Sequence, residues 1–156
     1  MSISVGNAAP DFTLYNSEKE QVTLSSLKGK NVLLLFFPQS FTGVCTEELC
    51  STRDNLSRYN GLNTEVLAIS VDSVFTLEKF KESEGLNFML LSDFNKEVST
   101  AYDTIYHDWI FDMKGVSKRS AFVVDASGDV QYAEVLEVPS DLPDFEAINS
   151  CLAGLS

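Results

Sequence analysis

Hydrophobic and polar positions follow two different periods along the chain, and these periods predict strands and helices in turn. The unbroken apolar run over residues 32–37 is typical of a central strand covered on both faces, and Pro38 closes it. Residues 65–71 are predicted to form the next buried strand. From Thr42 to about Tyr59 the spacing becomes helical. The inner face of this predicted helix carries Cys45, Leu49, Arg53 and Leu56.

Hairpins are predicted near both ends of the chain. Residues 11–14 and 21–24 flank a polar stretch and predict an amino-terminal β-hairpin. Residues 120–125 and 130–138 surround Ala-Ser-Gly-Asp, which is a strong signal for a second hairpin. The other predicted elements are a helix over 75–83, a short strand over 88–91, one or two helical turns over 98–102 and an amphipathic helix over 144–155.

The order of these elements favours an α/β fold with a thioredoxin-like arrangement. Early crossovers through helices imply parallel strands, and the late hairpin makes the central β-sheet mixed, with helices flanking it. The 156 residues contain no internal repeat and no obvious linker, and they match the size of one ordinary domain. We therefore expect residues 1–156 to form a single domain that includes the amino-terminal β-hairpin.

Charge and apolar content restrict the compartment and the partners. The formal net charge of −12 repels phosphate backbones, so nucleic acid is not an expected partner. The longest apolar stretch, residues 32–38, is too short for a membrane span, and residues 1–10 do not resemble a secretory signal. Three cysteines are an odd count that does not suit a disulfide framework. These features predict a cytoplasmic protein with reduced thiols and no membrane partner.

Cys45 has the sequence surroundings of a reactive thiol. It is predicted in the first turn of a helix, where unpaired N–H groups and the helix dipole favour the thiolate, the nucleophilic form of cysteine. Thr42 is placed to cap this helix and to offer a hydroxyl near the sulfur. Pro38 lacks an N–H and can shield the sulfur from bulk water. An isolated cysteine is more often inert packing, but this arrangement favours chemistry.

The pattern Pro38-x-x-x-Thr42-x-x-Cys45 resembles the active-site signature of the peroxiredoxins. Its surroundings, Phe-Phe-Pro before the loop and Val-Cys-Thr-x-Glu after it, are similar to those of the same family. The resemblance continues in Leu-Ser-Asp at 91–93 and in Gly-Val-Ser-Lys-Arg-Ser-Ala-Phe-Val-Val-Asp at 115–125, so it covers nearly the whole chain. The small bacterial types fit best, near the alkyl hydroperoxide reductase E and bacterioferritin-comigratory groups, and the sequence does not separate these two.

The resemblance implies a thiol-dependent peroxidase that reduces hydrogen peroxide and organic hydroperoxides, needs no cofactor and is recycled by thioredoxin or a glutaredoxin-like reductant. It implies that Cys45 is the peroxidatic cysteine and becomes a sulfenic acid. It also implies that Thr42 and Arg119 hold the peroxide and stabilise the leaving oxygen, and that Glu48 orients Arg119. Without the Cys45 motif, Arg119 would be interpreted as a surface arginine, and Glu48 alone indicates nothing.

Cys50 lies at the spacing of the resolving cysteine in the bacterioferritin-comigratory group. Five residues of intact helix separate two Cα atoms by roughly 8–9 Å, beyond the disulfide reach of about 7 Å. A bond between Cys45 and Cys50 would therefore require local unwinding. The alternative is that Cys50 is a packed thiol and an outside thiol resolves the sulfenic acid. Cys151, beside the apolar stripe of the last helix, is predicted to be structural.

Weaker signals concern histidine, the aromatic residues and other functions. His107 is predicted to lie at a surface or an interface, and a zinc site with Cys45 and Cys50 lacks a recognised spacing. An excess of aromatics in loop-like positions predicts a homodimer surface, with core packing as the alternative. These residues are Phe41, Phe75, Tyr106, Trp109 and Phe111. A disulfide oxidoreductase using Cys45 and Cys50 is disfavoured because Cys-x-x-Cys is absent, whereas a redox sensor or binding module on the same fold stays open.

Overall fold

The computed structural model describes residues 3–138 and 141–155, and a mixed seven-stranded sheet lies at the centre of this part of the chain. Seven of the strands below form this sheet, and β6 pairs with β7 in a small separate one. The strands are β1 (Thr13–Asn16), β2 (Gln21–Thr23), β3 (Asn31–Phe36), β4 (Thr64–Ser70), β5 (Met89–Ser92), β6 (Ile105–Tyr106), β7 (Val116–Ser117), β8 (Ser120–Val124) and β9 (Val130–Val135).

Helices cover both faces of the sheet, and local signals explain where they begin and end. They are α1 (Gly43–Asp54), α2 (Leu56–Gly61), α3 (Val74–Glu84), α4 (Glu97–Ala101) and α5 (Phe145–Leu155). The Ser73 side chain accepts the N–H of Thr76 at the start of α3, and Gly85 ends that helix with a φ of 60°. Asp144 accepts the N–H of Ala147 at the start of α5.

The sheet has the order β2-β1-β5-β4-β3-β8-β9, which confirms the prediction of a mixed sheet in a thioredoxin-like fold with an amino-terminal hairpin. β4 runs parallel to both β3 and β5, whereas β8 runs antiparallel to β3. Phe36 at the end of β3 lies beside Ile69 in β4. The chain therefore leaves β3 and β4 at the same edge, and residues 37–42 and 71–73 meet there.

The core lies on both faces of the sheet because β3 alternates between them. Leu33 and Leu35 pack on the face covered by α1, α3 and α5, while Leu34 and Phe36 pack on the opposite face. All six residues of β3 are buried, as the unbroken apolar run predicts.

The single helix predicted for residues 42–59 is two helices, with Asn55 between them. Asn55 leaves the helical conformation, and its amide donates to the carbonyl of Ser51, a local bond that competes with continuation of the helix. The predicted inner face is also wrong at Arg53, whose side chain is 32% exposed. Glu48 and Thr52 are buried on this face instead, because here α1 packs against the buried guanidinium of Arg119 and not against a purely apolar surface.

The segment between α4 and β8 contains elements that the sequence did not predict. They are β6, β7 and a 3-10 turn over Ile110–Asp112. Two-residue strands are too short to show a period of two, and the left-handed backbone of Phe111 (φ 57°) leaves no sequence signal because the residue is not glycine.

Candidate active site

Cys45 is the third residue of α1 and is only 1% exposed. The chain reaches it from β3 by a loop that begins at Phe37, whose N–H donates to the carbonyl of Ile69 at 2.9 Å. Pro38, the next residue, is buried. The sulfur therefore lies at the amino-terminal turn of a helix, where unpaired N–H groups and the dipole stabilise an anion.

Arg119 links the sulfur to a buried carboxylate. Its Nη2 donates to Cys45 Sγ at 3.1 Å, and its Nη1 donates to Glu48 Oε1 at 2.8 Å. The planar fork of the guanidinium allows both contacts at once. Arg119 directly precedes β8, and the pairing of Ser120 with Phe36 brings it beside the end of β3. The sheet register thus brings together three residues that the sequence analysis selected.

The ionisation of this pair is controlled by burial and by charge. Burial raises the pKa of Glu48 to about 7, although the charge and hydrogen bond of Arg119 act in the opposite direction. For Arg119, burial acts to lower the pKa, but the charges of Glu48 and Cys45 outweigh it and the pKa is raised. The guanidinium is therefore always charged, whereas burial favours a neutral carboxyl. The 2.8 Å contact has charge-assisted geometry, so we take the ion pair as the state that positions Arg119.

Thr42 occupies the N-cap position of α1 but does not cap the helix with its side chain. Its hydroxyl donates to the carbonyl of Gln39 at 2.9 Å, so the prediction of a side-chain cap is wrong. The reason is local, because the turn at Gln39 places a carbonyl within reach of this hydroxyl. Thr42 is exposed, and a hydroxyl that donates to Gln39 keeps lone pairs that can accept a further hydrogen bond.

The three cysteines are free thiols in different surroundings. Cys50 is half-buried in the same continuous helix as Cys45, and burial raises the pKa of its thiol. Cys151 is half-buried against the core, with Sγ 3.6 Å from the carbonyl oxygen of Gln131. That position agrees with a structural role for Cys151.

The weaker sequence signals lie at the surface. His107 is exposed, and within residues 3–138 and 141–155 no group of three His, Cys, Asp or Glu side chains could hold a metal ion. Phe41, Phe75 and Phe111 are 56%, 65% and 88% exposed, so Phe75 and Phe111 are not packed in the core, whereas the Phe41 ring also lies 5.1 Å from the ring of buried Phe80. Tyr106 and Trp109 are half-buried and stack on each other with their centroids 6.3 Å apart. None of the helices in the described ranges is both long enough and apolar enough to cross a bilayer.

Two polar residues near the site were not selected by the sequence analysis. Ser40 and Asp72 are buried and hydrogen-bonded to each other where the chain leaves β3 and β4. The available signal was topological, since polar residues that follow two neighbouring parallel strands meet at one edge of the sheet. A groove of about 710 Å³ beside β1, α3 and α4 is separate from this site, because Cys45 and Arg119 are not among its lining residues.

A cysteine sulfur held between a helix N-terminus and a charged guanidinium is suited to nucleophilic attack, and here a thioredoxin-like sheet carries it. These features define a thiol-based redox enzyme. The model of the AhpC/TSA family matches residues 5–133, and the chain belongs to this family, the peroxiredoxins. It is accordingly a thiol-dependent peroxidase, as the resemblance implied.

Individual relatives agree with this assignment. The chain is 39% identical over 157 residues to alkyl hydroperoxide reductase E of Mycobacterium tuberculosis, with 99% of each chain covered. Among solved structures, peroxidoxin BcpB from Mycobacterium tuberculosis has a TM-score of 0.87 at 25% identity, covering 99% of both chains. The reduced 2-Cys peroxiredoxin of Plasmodium vivax has a TM-score of 0.83 at 29% identity, covering 96% of this chain and 80% of that one.

Proposed function

We propose that Cys45 is the peroxidatic cysteine and that the chain reduces hydrogen peroxide and organic hydroperoxides. The observation that carries this proposal is the 3.1 Å contact between Arg119 Nη2 and the buried Cys45 sulfur at the start of α1. The thiolate attacks one peroxide oxygen, so an S–O bond forms and the O–O bond breaks. The electron pair leaves on the other oxygen, which takes a proton to become water or an alcohol, and Cys45 becomes a sulfenic acid.

The neighbouring residues have separate roles in this reaction. Arg119 stabilises the thiolate and then the negative charge that develops on the leaving oxygen. Thr42 accepts a hydrogen bond from the peroxide, since its hydroxyl proton is already donated to Gln39 and its oxygen can still accept. Buried Pro38 keeps bulk water from the sulfur. Glu48 holds the Arg119 fork through the 2.8 Å ion pair.

Cys50 resolves the sulfenic acid of Cys45 by forming an intrachain disulfide and releasing water. In continuous α1 the two Cα atoms are roughly 8–9 Å apart, more than the disulfide limit of about 7 Å, so the first turns of the helix must unwind. Because burial raises the pKa of Cys50 in the folded helix, unwinding also exposes the thiol and increases its reactivity. Thioredoxin or a glutaredoxin-like protein then reduces the disulfide. Resolution by an outside thiol is the alternative.

The organisation of the active protein is also proposed. Residues 1–156 act as one domain in the cytoplasm, and the chain forms a homodimer. The dimer surface consists of Phe41, Phe75, Tyr106, Trp109 and Phe111. Three of these large apolar side chains are exposed, which supports the proposal because a partner chain would remove their apolar surface from water.

The test is to measure by mass spectrometry the oxidation state of each cysteine after reduced protein reacts with one equivalent of hydrogen peroxide. Wild type is expected to form the Cys45–Cys50 bond within seconds, and Cys45→Ser is expected to stay inert. Cys50→Ser should accumulate the Cys45 sulfenic acid, while Cys151→Ser serves as the matched control and should behave as wild type. If Cys45 reacts no faster than an ordinary exposed thiol, the peroxidase assignment to this residue is wrong. Multiple turnovers with a thiol reductant exclude a sensor that is oxidised only once.

A further inference from the structure

One buried carboxylate ties the loop before Cys45 to a different part of the sheet. Asp72 Oδ2 accepts hydrogen bonds from the N–H of Ser40 at 2.8 Å and from its hydroxyl, also at 2.8 Å. The same oxygen accepts the Ser70 hydroxyl at 2.7 Å. Asp72 and Ser40 are each 9% exposed, so these bonds are little weakened by competition with water.

Asp72 is itself held in place by its neighbours. The Ser70 hydroxyl also accepts the N–H of Asp72 at 3.2 Å, and the Ser92 hydroxyl donates to the Asp72 carbonyl at 2.6 Å. These contacts fix the carboxylate between the ends of β4 and β5, two strands buried within the sheet. Asp72 is therefore held in place by Ser70 and Ser92, and its own hydrogen bonds fix the position of Ser40.

The loop that Asp72 holds is strained and belongs to the active site. Phe41, directly after Ser40, has a φ of 65°, a left-handed conformation that costs a non-glycine residue about 1–3 kcal/mol and persists only when neighbouring contacts impose it. Thr42 follows, and α1 with Cys45 starts at Gly43. The bonds at Ser40 are thus the contacts best placed to maintain this conformation and the resulting position of Thr42.

We propose that Asp72 is a positioning residue for peroxide reduction: through Ser40 it holds the 38–42 loop so that Thr42 and the first turn of α1 face the peroxide at Cys45. The Asp72 carboxylate bonds to Ser40 and to Ser70, so it reaches the active-site loop through Ser40. The inference rests on the proposed function of Cys45. On this proposal, peroxide positioning depends on a residue that is distant from Cys45 in sequence and follows a different strand, β4.

The test compares two reactions of the same sulfur. Reaction with hydrogen peroxide needs the loop to orient the substrate, whereas alkylation by iodoacetamide needs only an accessible thiolate. For Asp72→Ala we expect the peroxide rate to fall by about 10- to 100-fold relative to the alkylation rate, since small misplacements of reacting groups cost about that much. Asp72→Asn keeps a carbonyl oxygen that can accept from Ser40, so it should recover most of the ratio. Ser40→Ala should lower the ratio as well.

Further variants separate positioning from stability. Asp125 accepts several bonds in the β8–β9 turn and makes no contact with the loop, so Asp125→Ala should leave the ratio unchanged. The double variant Ser40→Ala with Asp72→Ala should be no worse than Asp72→Ala alone, because Asp72→Ala already removes the hydroxyl bond that Ser40→Ala removes. If Asp72→Ala does not fold, the ratio of the peroxide rate to the alkylation rate in Ser40→Ala and Asp72→Asn tests the positioning role.

The two proposals fail in different ways. An unchanged ratio in folded Asp72→Ala or Ser40→Ala would overturn the positioning role and leave the function of Cys45 intact. A loss of both reactions in parallel would also overturn it, since that indicates a structural role alone. A wild-type Cys45 that alkylates readily but does not react with hydrogen peroxide would overturn the proposed function, and the positioning role with it.

Discussion

Replacing Arg119 with lysine separates the charge of the guanidinium from its shape. In the native site Nη2 lies 3.1 Å from Cys45 Sγ while Nη1 lies 2.8 Å from Glu48 Oε1. An ammonium group is a compact charge at the end of a flexible stem, so it cannot occupy both positions. We expect it to remain with Glu48, because breaking a buried ion pair costs about 3–5 kcal/mol. Arg119→Lys therefore keeps the charge and loses the contact with the sulfur.

The expected effect follows from that single lost donor. Removing one preorganised donor from a site where negative charge develops slows a reaction by about 10²–10³-fold, or about 2.7–4 kcal/mol. The assay is single-turnover oxidation by hydrogen peroxide, with the Cys45 sulfenic acid trapped by a dione and measured by mass spectrometry. Circular dichroism establishes that the variant is folded, and Arg58→Lys, at an exposed position of α2, is the control. A rate for Arg119→Lys within about fivefold of wild type, about 1 kcal/mol, would refute the reasoning.

Three other predictions concern stability and assembly. Glu48→Gln should lower the free energy of unfolding by about 3–5 kcal/mol, because it removes the carboxylate charge from a buried ion pair with Arg119; urea titration measures the loss, and a variant as stable as wild type would contradict the ion pair. Phe111→Ser should shift the sedimentation equilibrium toward monomer. The matched change Phe94→Ser, at an exposed phenylalanine outside the proposed dimer surface, should not. A Phe111→Ser variant that stays as dimeric as wild type would contradict that surface. Ser73→Ala should lower the free energy of unfolding, measured by urea titration, by about 1 kcal/mol because α3 loses its N-cap. Ser83→Ala, at an exposed position of the same helix, should not lower it. Equal stability of the two variants would count against the cap.

The sequence predicted those features that depend on local pattern. The apolar run at 32–37 identified β3, and the spacing of Pro38, Thr42 and Cys45 selected the thiol that is proposed to react. Arg119 could be selected only by resemblance, since its contact with Cys45 depends on the pairing of β3 with β8. The helical period also placed Arg53 on the buried face of α1. A period of apolar positions could not show that this face meets the buried guanidinium of Arg119, which Glu48 pairs with.

Residues that act through long-range contacts left no local signal. Ser40 and Asp72 are 32 positions apart, and neither interrupts a predicted element. Ordinary turn residues have the same composition, so only the sheet order shows that these two meet. The positive φ of Phe41 is equally hidden, because a left-handed conformation is predictable mainly where glycine or asparagine stands.

The two proposed chemical steps place opposite demands on α1. Peroxide reduction needs its first turn held rigidly, whereas a Cys45–Cys50 bond needs the same turn to unwind. The helix itself is weakly stabilised: it has 12 residues, begins at Gly43 and lacks a side-chain cap at Thr42. Helices of this length are marginal in isolation, so the tertiary contacts of Glu48 and Ser40 supply much of the order. In the proposed reaction, oxidation of Cys45 removes the thiolate charge that Arg119 stabilises, and this weakens the contact at the first turn when resolution requires the turn to open.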